Sequence, residues 1–274
     1  MKTAPHTLEP LAKIEIFEFP GGGLELRPAG ASLGTGTAGD AVAASAAAGS
    51  AVHVPIAAAA SQARTVLALH GYGGTPRDLL PLALALSQAG LRVALPLLPG
   101  HGPKQARDGG KKPSPDLAEE GALLSAKAVS QAAPAWLHHA FGDAPEAQPR
   151  LFLGHSLGAR LALGWARAGD RVVAISTPKA VEFSGEARRE LMQALRPRWV
   201  REDRPMAGLV ELLSESPEGP APGVQALLLR GSRDLSCCDW PDGDGLKVEI
   251  RDCDHASILL HPETEKKVGE WLLS

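Results

Sequence analysis

LFLGHSLGARLAL, residues 151–163, opens as an unbroken apolar run, passes through a serine set between two glycines, and goes on at helical spacing. A short apolar run closed by glycine is the pattern of a strand buried on both faces. The stretch LGARLALGWARAG that follows reads as a helix, so the chain must bend sharply at Ser156. Glycines at 154 and 158 let neighbouring backbone pass that bend without a Cβ in the way.

The same alternation recurs on either side. Strands are predicted at TVLALHG (65–71), LRVALPLL (91–98), RVVAIST (171–177), QALLLRG (225–231) and LKVEIRD (246–252). Helices are predicted from Thr75-Pro76 to Gly90, from Ser114-Pro115-Asp116 to about Phe141, and over PETEKKVGEWLLS at the C-terminus. Strands alternating with helices predict an α/β fold with a mostly parallel central sheet and helices on both faces. IEIFEF (14–19) and LELRP (24–28), joined by a Pro-Gly-Gly-Gly turn, read as a leading hairpin. Residues 29–63 are rich in alanine and glycine and read as a surface excursion around one edge strand, AVHVPI. Between residues 178 and 222, GEARRELMQALRPRWV and PMAGLVELLSE read as two short amphipathic helices, with Leu191, Leu195 and Trp199 on one face.

Composition narrows the classes of function. With 28 basic and 31 acidic residues the net charge is -3, which offers no field for gathering nucleic acid or an anionic membrane. No apolar run reaches the ~18–20 residues of a membrane span, and the N-terminus lacks the apolar core of a signal peptide. Cys237, Cys238 and Cys253 are too few for a disulfide framework and contain no C-x-x-C pair, so a zinc site is not expected. A reducing, cytoplasmic setting is expected.

Chemistry is expected beyond the carboxyl ends of the strands. Ser156 stands there as a nucleophile, with the amides of the following helix aimed at whatever it attacks. A hydroxyl is a weak nucleophile and requires a base, and the base requires an orienting carboxylate. Asp234 closes one strand in GSRD and His255 closes the next in DCDH, so the order is Ser, Asp, His. Asp252, Asp254, Asp239, Asp242 and Asp244 compete for the acid role, and Asp234 is preferred because it ends a strand. His155 is expected to pack beneath Ser156 rather than take its proton. His70-Gly71-Tyr72-Gly73-Gly74 supplies a glycine loop, and the backbone N–H groups of Tyr72 and Leu157 are the expected oxyanion donors. Trp240 is either a pocket residue or a packing anchor.

From about Thr65 onward the chain resembles the α/β-hydrolase superfamily. HGYGGTPRDLLPLALALSQAGLRVALPLLPGHG, GHSLG, GSRD and DCDH look like its carboxylesterase and monoacylglycerol-lipase branch. The resemblance implies Ser156 as nucleophile, His255 as base, Asp234 as its partner, a cofactor-free mechanism, and His101 as a loop-shaping residue. It also implies a small helical cap at 178–222, inserted after the sixth strand of a core formed by residues 1–177 and 223–274. The chain departs from the family between Asp234 and His255, where too few residues remain for the usual helix, so a turn must replace it or the acid lies elsewhere.

The expected activity is hydrolysis of carboxylic esters of small or medium acyl chains through an acyl-serine, by a monomer or small homo-oligomer acting on a small-molecule substrate. The same triad serves thioesters, amides or C–C bonds, and a ligand-binding protein that kept the fold is a further alternative. A haloalkane dehalogenase would carry aspartate at position 156.

Overall fold

The computed structural model describes residues 14–19, 22–28, 64–101, 124–142, 148–179, 189–190, 193 and 206–274. The predicted edge strand AVHVPI, the excursion at 29–63, and Leu191, Leu195 and Trp199 all lie outside these residues. Eight strands make one sheet: β1 (Ile14–Glu18), β2 (Gly23–Pro28), β3 (Thr65–Leu69), β4 (Arg92–Pro96), β5 (Leu151–His155), β6 (Arg171–Ile175), β7 (Gln225–Arg233) and β8 (Leu246–Asp254). Their order is β1-β2-β4-β3-β5-β6-β7-β8. β1 pairs β2, and β2 pairs β4, in antiparallel register, whereas every pairing from β4 to β8 is parallel. The helices are α1 (Leu80–Gln88), α2 (Ala126–Phe141), α3 (Leu157–Trp165), α4 (Met206–Glu215) and α5 (Pro262–Leu273).

The two-residue period of a strand sorts the central side chains into two cores. Leu67, Leu69, Phe152, Val172, Ala174 and Leu228 face one way, against apolar residues of α2, α3 and α4. Val66, Ala68, Leu151, Leu153, Val173 and Leu227 face the other, against α1 and α5. Both faces of β3, β5 and β6 are therefore dry, which is why these segments read as continuous apolar runs. Each fully buried Leu, Val or Phe contributes roughly 1.5–3 kcal/mol. Helix α3 is enclosed all round: residues 157–163 are all buried. Among the described residues, no helix is long and apolar enough to cross a membrane.

Helix starts follow local chemistry. The first turn after Thr75, residues Pro76–Leu79, is a 3₁₀ turn leading into α1, and Thr75 N–H donates to Asp78 Oδ2 at 3.0 Å. The predicted second helix is interrupted before Ala126, and its stretch 114–123 lies outside the described residues. Ser125 is extended (φ -154°) and its Oγ accepts from Ala128 N at 3.1 Å, so the helix is capped there and does not run through from Ser114. A carboxylate on α4 adds a second cap to the same end, Glu211 Oε2 accepting from Ala126 N at 3.1 Å. At α5, His261 Nδ1 accepts from Glu263 N at 3.2 Å.

Candidate active site

Strand β5 delivers Ser156 at the carboxyl edge of the sheet, and α3 begins at the next residue. Ser156 has φ 53° and ψ -121°, a left-handed conformation that costs a non-glycine residue ~1–3 kcal/mol. Its backbone is fixed by a bond from Ser156 N to Ile175 O at 2.9 Å. The flanking glycines are enforced by contact. A Cβ on Gly154 would come within 2.3 Å of Gly158 O, and one on Gly158 within 2.0 Å of Leu69 O. Gly71, in the loop after β3, passes so close that a Cβ there would lie 3.0 Å from Ser156 Cβ.

Asp234 directly follows β7, and His255 directly follows β8. The two side chains meet, with His255 Nδ1 and Asp234 Oδ1 2.8 Å apart. Asp234 is nearly sealed from solvent, its side chain 1% exposed against 15% for His255. Burial alone would raise the Asp234 pKa. Hydrogen bonding and the charge of His255, the neighbouring Ser176 hydroxyl and the Leu235 amide outweigh it, so the carboxyl titrates below its ordinary value. Leu235 N donates to Oδ1 at 2.8 Å. Asp234 Oδ2 and Ser176 Oγ are both buried without a hydrogen-bond partner, so Ser176 acts on the carboxylate by proximity.

Two of the competing acids are engaged elsewhere. Asp239 pairs with Arg230 at 3.0 Å and Lys179 at 3.3 Å. Asp254 Oδ1 accepts from the Ala256 and Ser257 amides at 3.0 and 2.8 Å. Residues 234–245 form turns and no helix, so the short Asp-to-His connection is met by omitting that helix. Register between β7 and β8 shifts at Gly231/Arg233, and the paired strands run on beyond the predicted 231 and 252, to Arg233 and Asp254.

His155 packs under the bend, 4% exposed, and its Nε2 lies 2.8 Å from the backbone carbonyl of His255. The two imidazole rings are 4.8 Å apart. The residue before the serine thus ties down the loop that carries the second histidine. His101 shapes the glycine loop as expected: its Nε2 accepts from Gly73 N at 3.0 Å and its Nδ1 bonds Pro99 O at 2.9 Å, which fixes its tautomer. The loop carries Tyr72 to the same pocket as Ser156. Leu157, the first residue of α3, has one of the amides that a helix N-terminus leaves without an intrahelical partner.

The pocket over Ser156 encloses about 270 Å³ including its open mouth, and its walls are Tyr72, Pro178, Leu209, Leu213, Leu235 and the paired Cys237 and Cys238. Leu209 and Leu213 come one helical turn apart on α4. Trp240 lies outside this lining. It is half-buried against the core, with the Arg230 guanidinium 5.6 Å from its ring. The sequence reading weighed Cys237 and Cys238 only as disulfide or zinc candidates and did not place them at the pocket. Cys238 Sγ is 3.6 Å from His255 Nδ1, and Cys237 Sγ is 4.0 Å from Cys238 Sγ. Their only sequence signal was proximity to Asp234.

A family model described as "Alpha/beta hydrolase family" matches residues 66–271. Among solved structures, an enol-lactonase from Burkholderia xenovorans LB400 is 19% identical, with TM-score 0.52, over 77% of this chain and 92% of that one. A monoacylglycerol lipase from Paleococcus ferrophilus is 16% identical, with TM-score 0.50, over 76% of this chain and 93% of that one. No protein of curated function matches the chain.

Proposed function

Because the chain belongs to the alpha/beta hydrolase family, we propose that it is a serine esterase that cleaves carboxylic esters of small or medium acyl chains through an acyl-Ser156 intermediate. The observation that carries this reading is the 2.8 Å Asp234–His255 bond, made at the same sheet edge as a serine held at positive φ.

In this mechanism Ser156 Oγ attacks the ester carbonyl and passes its proton to His255 Nε2. Asp234 holds the Nδ1 proton in place and balances the imidazolium. The developing oxyanion accepts from the Tyr72 and Leu157 N–H groups, each such donor being worth about 3–4 kcal/mol in the transition state. The tetrahedral intermediate collapses as His255 returns its proton to the alcohol, which departs. Water, deprotonated by His255, then attacks the acyl-serine and the acid leaves with Ser156 restored.

The apolar walls support an acyl group rather than a charged one. Residues 178–222 act in this reading as the cap, with α4 as its described helix, inserted in a core of residues 1–177 and 223–274. The reading needs no cofactor. The three free cysteines support a reducing, cytoplasmic setting.

The test is hydrolysis of p-nitrophenyl esters from acetate to long acyl chains by wild type and Ser156→Ala. Wild type is expected to turn over, with a preference for the shorter members, and the variant to lose about 10⁴-fold or more in kcat. Retention of most activity by Ser156→Ala would exclude an acyl-serine.

A further inference from the structure

Beside the Asp234–His255 pair stands a thiol, Cys238, that the hydrolytic mechanism does not use. Asp234, Cys238 and His255 each offer one ligand atom, and these three atoms lie within 4.8 Å of one another. They are an oxygen, a sulfur and an imidazole nitrogen, the mixture favoured by zinc and its softer relatives. Zinc-bound sulfur and nitrogen in a tetrahedral site stand roughly 3.6 Å apart, given bond lengths of ~2.3 and ~2.0–2.1 Å. Cys238 Sγ and His255 Nδ1 are 3.6 Å apart before any metal arrives. A second observation points the same way: Asp234 Oδ2 is buried, makes no hydrogen bond, and belongs to a side chain only 1% exposed. Cys237 Sγ lies 4.0 Å from Cys238 Sγ.

We propose that Asp234, Cys238 and His255 form a reversible inhibitory site for a soft divalent cation of the zinc–cadmium class, in direct competition with hydrolysis. The inference rests on the reading of His255 as general base. Entry of the cation breaks the His255–Asp234 hydrogen bond and forms bonds to Nδ1, a carboxylate oxygen and Sγ. The Cys238 proton leaves to solvent, and the neutral imidazole moves its proton from Nδ1 to Nε2. The two positive charges are balanced by one carboxylate and one thiolate, so the filled site is neutral and suits a dry pocket. Nε2 then carries hydrogen and cannot accept the Ser156 proton. The Asp–His pair needs to open from 2.8 Å by roughly half an ångström to reach ligand spacing.

The experiment is titration of Cd²⁺ into the reduced, EDTA-stripped full chain, followed by thiolate-to-cadmium charge-transfer absorbance and calorimetry. The proteins compared are wild type, Ser156→Ala, Cys238→Ser, Asp234→Asn and Cys253→Ser. Wild type, Ser156→Ala and Cys253→Ser are expected to bind one equivalent with the charge-transfer band. Cys238→Ser is expected to lose the band, and Asp234→Asn to bind about 10-fold or more weakly. Ester turnover by wild type is expected to fall in step with occupancy and to return on adding EDTA. The proposal is overturned by the absence of a band in wild type, by a band that survives in Cys238→Ser, or by full occupancy that leaves turnover intact. If no protein in the set hydrolyses any ester, the esterase reading fails, and the Ser156→Ala band still decides the metal site.

Discussion

At the scale of single residues, the site is organised by what Asp234 can accept. Its Oδ1 takes the His255 Nδ1 hydrogen bond and the Leu235 amide, which leaves His255 Nε2 as the nitrogen able to receive a proton. Asp234→Asn tests this directly. An asparagine amide donates where the carboxylate accepts, and so stabilises the tautomer with hydrogen on Nε2. Turnover in the esterase assay is expected to fall by roughly 10³–10⁴-fold, with KM little changed, because the geometry survives while the base is lost. Equal turnover by Asp234→Asn and wild type would remove Asp234 from the mechanism. His155 shows why residue roles are read unevenly. Its place beneath the serine followed from the elbow pattern, but its bond to the carbonyl of His255 joins positions 100 apart and leaves no mark in local sequence.

At the scale of elements, α3 follows directly on Ser156 and carries Arg160 one turn further on. Arg160 is fully buried, and its Nη2 donates to Leu213 O at 2.6 Å and Ser216 O at 2.5 Å. A cation thus sits at the carboxyl end of α4, where carbonyls lack helical partners and the dipole is negative. Burial lowers the Arg160 pKa while the charge of Glu218 raises it. This is the joint that holds α4, with Leu209 and Leu213, over the pocket. Arg160→Leu removes the donor and leaves two carbonyls unpaired, an expected loss of about 2–4 kcal/mol in urea unfolding. The preferred acyl length in the ester series is expected to broaden as α4 loosens. A stability change under ~0.5 kcal/mol would show that packing alone holds α4.

Strands and helices of this kind were legible where pattern is local: apolar runs of five residues, Pro76 and Pro262 at helix starts, serines and glycines at bends. Arg160 within LGARLAL was not, because its partners lie 53 and 56 positions on. The break before α2 was not legible for a related reason: the helix is capped at Ser125 with help from the Glu211 carboxylate arriving from α4, 85 positions on from Ala126.

At the scale of the whole molecule, Glu25 joins pieces far apart in sequence. Its carboxylate, 1% exposed, accepts from Arg27, from Arg92 Nε at 2.6 Å and from His139 Nε2 at 2.7 Å, linking β2, β4 and α2. Burial pushes its pKa up, but the hydrogen bonds of the two arginines and His139 together win, and the group titrates at about 2 instead of 4.5. A carboxyl depressed in the folded state gives stability that is complete above the unfolded value and is lost as pH falls toward the folded one. Glu25 therefore stabilises the fold above pH 4.5 and ceases to do so as pH approaches 2. Urea midpoints measured across that window are expected to fall less steeply for Glu25→Gln than for wild type. Parallel slopes would mean that other carboxylates carry the acid sensitivity. None of this network was visible beforehand, since IEIFEF and LELRP displayed only a hairpin.

The order of the strands has one more consequence. β5, which bears the serine, is hemmed in by β3 and β6, whereas β8, which bears the histidine, has among the described residues a neighbour on one side only and leaves most of its side chains in water. Fraying begins at such margins. Ser156 is thus anchored at the centre of the sheet and His255 at its margin, so activity is expected to fall at lower denaturant than the central strands unfold.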